Sequence, residues 1–303
     1  KQEKSYKFMR IKEGIIPKEN ILITIYNKLR RRDFSGVGGQ AIKNSSYQLA
    51  QNIIFKVGSL FFIIILARMF LPDLMGLYFL ALSTIVLFAA FSDLGISSAL
   101  ITYCSRMLGR GNKKKAKEYY DKLLKWKLKI IFITSIVFLT FSFFIANYYY
   151  DKPIFYALLV GAIYIPVVSL INFIEQVFKS TENFKSPMIK EIIFQLTRLT
   201  IVPLIIFIFL KNEISNQWIV VVVLLAIVLA YFISLVFLAL SIKKIKFLQT
   251  KSKNLNKSEI KDLKKFIIPL SATAMAGMFF GYIDTLMLGH FISTEFIAYY
   301  AAA

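Results

Sequence analysis

Residues 190–210 read KEIIFQLTRLTIVPLIIFIFL, an apolar stretch long enough to cross a bilayer that nevertheless carries Arg198 near its middle. At 1.5 Å per residue Arg198 lies about eleven residues into such a helix, roughly 16 Å deep and near the bilayer centre. An arginine at that depth costs about 2.5–3.5 kcal/mol on insertion scales. Snorkelling does not reach water from there, so the side chain must face a partner or a wet cavity. One stretch thus identifies the solvent as lipid and marks a position whose charge needs a reason.

The rest of the chain agrees about the solvent. Hydrophobic residues make up 57% of the 303 positions, and the mean hydropathy of +0.62 excludes a soluble protein. Seven apolar runs, near 48–70, 76–103, 129–149, 153–175, 187–210, 217–241 and 266–289, predict an all-α polytopic membrane protein. A net charge of +21 would suggest nucleic acid in a soluble chain, but here charge and apolar runs occupy different segments. Of 38 basic residues, 33 fall in 1–46, 104–129, 175–190 and 241–265, whereas the alternate segments carry only Lys152 and Lys211. Basic loops stay cytoplasmic, so the expected orientation has a cytoplasmic amino terminus in the cell (cytoplasmic) membrane. The charge then marks topology and attraction to anionic membrane lipids, and no nucleic-acid partner is expected.

The expected organisation has four parts. Residues 1–46 form a basic cytoplasmic or interfacial segment, without the apolar core of a cleavable signal peptide. Within it NILITIYNKLRRR (20–32) reads as an interfacial helix or a basic arm, followed by a SGVGG hinge at 35–39. Residues 47–243 form a six-helix bundle, 244–265 a basic linker, and 266–303 the beginning of a second bundle. The last expectation rests on an internal echo between LARMFLPDLMGLYFLA (66–81) and LGHFISTEFIAYYAAA (288–303). Leu66 aligns with Leu288, Asp73 with Glu295, Gly76 with Ala298 and Tyr78 with Tyr300, at a constant offset of 222 residues. Six helices separate the copies, an even number, so the repeat is parallel, an architecture that transporters use. On this reading the sequence is a fragment of a longer chain with a second bundle of similar length.

Three motifs carry a family likeness. An acid–glycine turn (Asp73 to Gly76) joins the first two runs, and Asp93-Leu94-Gly95-Ile96 lies late in the second. A basic GNKKKAK stretch begins at Gly111. Together with GYIDTLMLGHFISTEFIAYYAAA (281–303), these resemble the polysaccharide (O-antigen, Wzx-type) flippases of the multidrug/oligosaccharidyl-lipid/polysaccharide exporter superfamily. The resemblance covers most of 47–303 and implies two six-helix bundles around a central cavity. It further implies translocation of an isoprenoid-pyrophosphate-linked oligosaccharide by alternating access, for cell-surface polysaccharide synthesis. The lipid-linked oligosaccharide is then the substrate partner, and polysaccharide polymerase machinery is a further expected partner. Asp284 joins the candidate cavity only through this likeness, around Gly281-Tyr282-Ile283-Asp284; its structural role would be pairing across the bundle interface.

Polar residues inside the apolar runs supply the other candidates. Gln48, Asn52, Lys56 and Ser59 share one face of the first run, at spacings of 4, 4 and 3. Lys56 lies about 12 Å from the polar end and faces either a cavity or, by snorkelling, the surface. Asp93 sits at a similar depth in the second run, so a Lys56–Asp93 ion pair is geometrically open, as substrate contact or as hairpin pin. Glu191, Gln195 and Arg198 form a second face at spacings of 4 and 3. Asn172, Glu175 and Lys179 make a weaker third near the end of the fourth run, where polar residues are ordinary. Pro166, Pro203 and Pro269 read as kinks, static or moving. The lone His290 reads as an interface residue, and Cys104 offers no disulfide framework.

These residue types suit a phosphate–sugar cargo. Arg198 and Lys56 can offset phosphate charge, Arg198 with a bidentate fork, while Asn52, Gln195 and Ser59 exchange hydrogen bonds with hydroxyls. Asp93 and Glu191 complete the cavity set. No nucleophile, metal cluster or phosphate-cradling glycine loop is visible, so neither an enzyme nor a cofactor is expected. Two alternatives stand beside the flippase. An ion-coupled drug or small-molecule exporter of the same superfamily would favour acids in its cavity, and a membrane polymerase or glycosyltransferase would need a substantial external loop.

The orientation is open to test by impermeant thiol labelling. Gly36→Cys, Lys114→Cys, Asn183→Cys and Lys253→Cys should react from the cytoplasmic side, and Leu74→Cys, Asp151→Cys and Ile214→Cys from outside. Reversal at two or more sites would refute the assignment.

Overall fold

The computed structural model describes residues 36–211, 216–251 and 253–302, and no strand occurs among them. The helices are α1 (Gly36–Met69), α2 (Pro72–Phe91), α3 (Ile96–Gly109), α4 (Lys113–Phe144), α5 (Phe155–Ser180), α6 (Lys185–Lys211), α7 (Asn216–Ile242), α8 (Lys257–Phe291) and α9 (Thr294–Ala302). All except α3 and α9 are long and apolar enough to span a membrane, which makes the chain a multi-pass membrane protein. It divides into a unit of residues 1–47 and a unit of residues 48–303. The stretch 20–32, expected as an interfacial helix or arm, lies outside the described residues.

In the second unit α7 packs against α5 and α6, α5 against α2 and α4, and α2 also against α8 and α9. Between membrane helices there is no hydrophobic driving force, because lipid tails are as apolar as leucine. Large apolar side chains therefore remain on the outside, among them Phe132, Ile163, Leu204 and Phe207. Association depends on close packing and on polar contacts inside.

Three expectations need correction. The second run is not one helix: α2 ends at Phe91, and the chain breaks over Ser92–Gly95 before α3 begins. Leu94 (φ 42°) and Gly95 (φ 72°) adopt left-handed backbone there. A Cβ on Gly95 would also lie 2.9 Å from Leu270 Cβ of α8, so glycine meets both a torsional and a steric demand. Next, the basic segment 113–128 and the third run form one 32-residue helix, capped where Asn112 Oδ1 accepts from Lys115 N at 3.0 Å. Nothing between the two parts breaks helix; only polarity changes along it. Finally, the glycines at 36, 38 and 39 open α1 rather than forming a hinge. Glycine lowers helix propensity by about 1 kcal/mol without forbidding helix.

The two echoed turns meet each other. Thr294 Oγ1 donates to Asp73 Oδ1. A Cβ on Gly76 would lie 1.8 Å from the Thr294 carbonyl oxygen, so the close approach of α2 to the start of α9 requires the missing side chain. Nearby, Lys152 Nζ donates to the Gly289 carbonyl at 2.6 Å, and burial holds its pKa below the usual lysine value. His290 stacks on Tyr149 with ring centroids 4.9 Å apart.

The break after α2 is held from α4. Twenty residues of α2 span about 30 Å, the thickness of the hydrocarbon, so the break falls near the level where the chain leaves it. Lys127 is fully buried there, its Nζ donating to Asp93 Oδ1 at 2.6 Å and to the Ser92 carbonyl at 3.1 Å. Ser97 Oγ also donates to Asp93 Oδ1, and Ser92 Oγ donates to Ser169 Oγ of α5 at 2.7 Å. Asp93 thus pairs with Lys127, not with Lys56. The reason is that Lys127 shares the buried face of α4 with Leu123 and Ile131, pointing straight at the carbonyl that the break sets free.

Asp93→Ala leaves a buried ammonium without its anion and should lower stability by about 2–3 kcal/mol; full burial would raise the figure, but Asp93 is 32% exposed. Thermal unfolding in detergent of Asp93→Ala, Lys127→Ala and the double variant should give a coupling above about 1 kcal/mol. Independent effects would remove the pair from this role.

Candidate functional site

Helix α6 is inverted relative to a soluble amphipathic helix. Lys190, Glu191, Gln195 and Arg198 are buried, whereas Leu196, Leu204 and Phe207 are exposed. The 4- and 3-residue spacings place Glu191, Gln195 and Arg198 on one face, and that face turns inward against α1, α5 and α7.

From the polar end inward these groups form a ladder. Lys190 Nζ lies 2.6 Å from Glu175 Oε1 of α5 and 2.9 Å from Glu191 Oε2. Glu191 Oε1 accepts from Gln195 Nε2 at 2.8 Å. Gln195 Oε1 in turn accepts from Arg198 Nη2 at 2.7 Å, and the same nitrogen donates to Ser59 Oγ of α1 at 3.3 Å. Each acceptor thus receives a donor of matching character, and the Gln195 amide relays between carboxylate and guanidinium. The ladder holds two carboxylates and two cations, with Lys179 at its edge 4.0 Å from Glu175.

Aromatic rings enclose the inner end. The guanidinium carbon of Arg198 lies 4.2 Å from the Phe62 ring centroid and 5.0 Å from that of Phe194. Phe194 stacks on Tyr231 of α7 at 4.0 Å. Ring faces partly replace lost hydration for a desolvated guanidinium. Arg198 Nε is buried and has no hydrogen-bond partner among the described residues.

A cavity of about 210 Å³ opens beside the ladder, with polar lining from Asn52, Asn172, Glu175, Lys190, Glu191 and Tyr231. Of the candidates read from sequence, Arg198, Gln195, Glu191 and Ser59 come together in the ladder, and Asn52 lines the cavity. Arg198 lies deeper than the cavity wall and is not part of the lining. Lys56 is exposed on α1 and does not join the ladder. Asp93 belongs to the break held by Lys127, and Asp284 of α8 accepts from Tyr300 Oη at 3.2 Å.

Two ladder members have weak signals in the sequence. Lys190 opens the apolar stretch and counts with a basic loop; Glu175 belongs to a face at the membrane boundary, where polar residues are ordinary. The available signal was their separation: an acid at the end of one run and a Lys-Glu pair at the start of the next, across a short turn, can meet. Lys127 had a signal too, in its spacing of four from Leu123 and Ile131.

Fold and site together define a polytopic helical membrane protein with a neutral ladder of charges inside its apolar bundle. The family model for polysaccharide biosynthesis proteins matches residues 41–303, and the chain belongs to that family, which includes Wzx-type flippases. Comparisons with curated proteins and with solved structures each returned no significant match.

Lys190→Met leaves Glu175 and Glu191 facing each other without their shared cation. Its thermal midpoint should fall by several degrees, and adding Glu175→Gln should recover part of the loss. A Lys190→Met protein as stable as the wild type would mean that the ladder does not hold α5 to α6.

Proposed function

We propose that this protein is a flippase that carries an isoprenoid-pyrophosphate-linked oligosaccharide across the cytoplasmic membrane by alternating access. Its proposed orientation has the amino terminus and the basic loops in the cytoplasm, and its proposed organisation is one six-helix bundle followed by the start of a parallel second. Membership of the polysaccharide biosynthesis family supports a transport role in that synthesis. The observation that carries the finer reading is Arg198 itself, midway along a membrane helix with a buried Nε that has no partner among the described residues.

The chemistry follows from the ladder. A pyrophosphate crossing hydrocarbon needs cationic donors already desolvated and held in place, since immersion in bulk lipid is prohibitive. Arg198 offers a fork whose Nη2 is tied to Gln195 and Ser59 and whose Nε remains unused. Asn52 and Asn172, on the cavity wall, suit the hydroxyls of the first sugar. An anion arriving from the cavity competes with Glu191 and Glu175 for Lys190, loosening the joint between α5 and α6. Pro166, Pro203 and Pro269 lie inside α5, α6 and α8, where a missing backbone bond lets a helix bend.

Convergence of Glu175 and Glu191 on one ammonium also favours a second reading, an exporter coupled to protons or cations. It predicts that transport depends on an ion gradient and not on a phosphate-bearing cargo.

Translocation of lipid-linked oligosaccharide into vesicles decides between these roles. Arg198→Lys keeps charge but loses the fork and should retain partial transport. Arg198→Ala and Arg198→Glu should nearly abolish transport while the protein stays in the membrane. A purely structural Arg198 predicts low abundance for Arg198→Ala, restored by adding Glu191→Ala. Normal transport by well-expressed Arg198→Ala ends the proposal.

A further inference from the structure

At the basic ends of the helices the structure holds a second pocket, separate from the ladder cavity and about 600 Å³ in volume. Four elements build it. The end of α3 gives Ser105 and Leu108, the start of α4 gives Lys113, the end of α5 gives Lys179 and Thr181, and the linker after α7 gives Lys244, Lys246 and Phe247. Its wall thus carries four lysines against one carboxylate, Glu182. Like charges brought together from segments distant in sequence repel, and nothing in helix propensity requires them to converge. Dipole compensation accounts for Lys179 at the end of α5, but not for Lys113 at the start of α4, where a cation is unfavourable.

We propose that this pocket binds the phosphate of an anionic phospholipid headgroup. Phosphate is the shared chemistry of a lipid headgroup and a free anion, and two features favour the lipid. Lys179 lies in the last turn of a membrane-spanning helix, at the level where α5 meets the headgroups. Leu108 and buried Phe247 add apolar wall next to the charges, which suits the glycerol and first methylenes of a lipid better than a soluble ion. Basic pockets between membrane helices on the cytoplasmic side are recognised headgroup sites in general. The site also touches the ladder: Lys179 lies 4.0 Å from Glu175, so a bound phosphate draws Lys179 away from the ladder's edge. This binding does not depend on which cargo the protein carries.

The test uses the full chain in detergent, titrated with phosphatidylglycerol while thermal unfolding is followed. Phosphatidylglycerol should stabilise the wild type and phosphatidylcholine should not. The triple variant Lys179→Gln, Lys244→Gln, Lys246→Gln should weaken the apparent affinity about a hundredfold, from the usual contribution of a basic residue near a charged surface. Lys125→Gln, Lys261→Gln, Lys264→Gln removes equal charge elsewhere and should change it less than about threefold, because an exposed charge outside the pocket makes no direct contact. Should the first triple not fold, the double variant Lys244→Gln, Lys246→Gln in the exposed linker serves, with an effect of about tenfold or more. Equal losses from both sets would mean diffuse surface attraction and overturn the proposal. Equal stabilisation by inorganic pyrophosphate would assign the pocket to a soluble anion instead, overturning the lipid assignment.

Discussion

A charge inside hydrocarbon must bring its own solvation, and the bundle is arranged around that constraint. Arg198 is surrounded by an amide, a hydroxyl and two aromatic rings, each from a named position on α1 or α6. Gln195 can serve Arg198 only because its other end is fixed by Glu191, and Glu191 is fixed by Lys190. Lys190 reaches across to Glu175, which makes the ladder a joint between α5 and α6. In lipid, where apolar contact between helices gains nothing over apolar contact with acyl chains, such joints decide which helices stay together.

The same logic explains the break between α2 and α3. A left-handed kink leaves backbone groups without helical partners, and at the edge of hydrocarbon they need a donor from elsewhere. Lys127 answers from α4 with one ammonium that serves the Ser92 carbonyl and the Asp93 carboxylate together. The Asp-Leu-Gly-Ile run is therefore a structural device first: aspartate for the cation, glycine for the torsion and for the approach of α8. At the opposite end the two echoed turns pack directly, Asp73 with Thr294 and Gly76 under the Thr294 carbonyl. Polar joints thus lie at both ends and in the middle of the bundle, while the outer surface remains apolar.

A ladder with equal numbers of acids and cations is stable at rest yet open to exchange. In the mechanism proposed above, an incoming anion meets Lys190 and Arg198 already desolvated, so the cost of dehydrating them falls on folding and not on binding. On that proposal the resident carboxylates compete with the cargo and return once it leaves, as suits a carrier better than a tight receptor.

Much of this was legible in the sequence. Apolar runs fix the number and approximate place of the spanning helices, because hydrocarbon admits only segments whose backbone bonds are internal. The spacing of Glu191, Gln195 and Arg198 fixes a polar face, since helical period is a local property. The echo at an offset of 222 residues foretold two like turns, though not that they touch. Tertiary structure alone decided the partners. Whether Asp93 meets Lys56 or Lys127 depends on the break over Ser92–Gly95 and on how α4 packs against it. That Lys190 bridges to Glu175, and that Lys113, Lys179, Lys244 and Lys246 share a pocket, follows from how the helices pack. Helical period sets which way a side chain points on its own helix; only the packing of the other helices sets what it meets there.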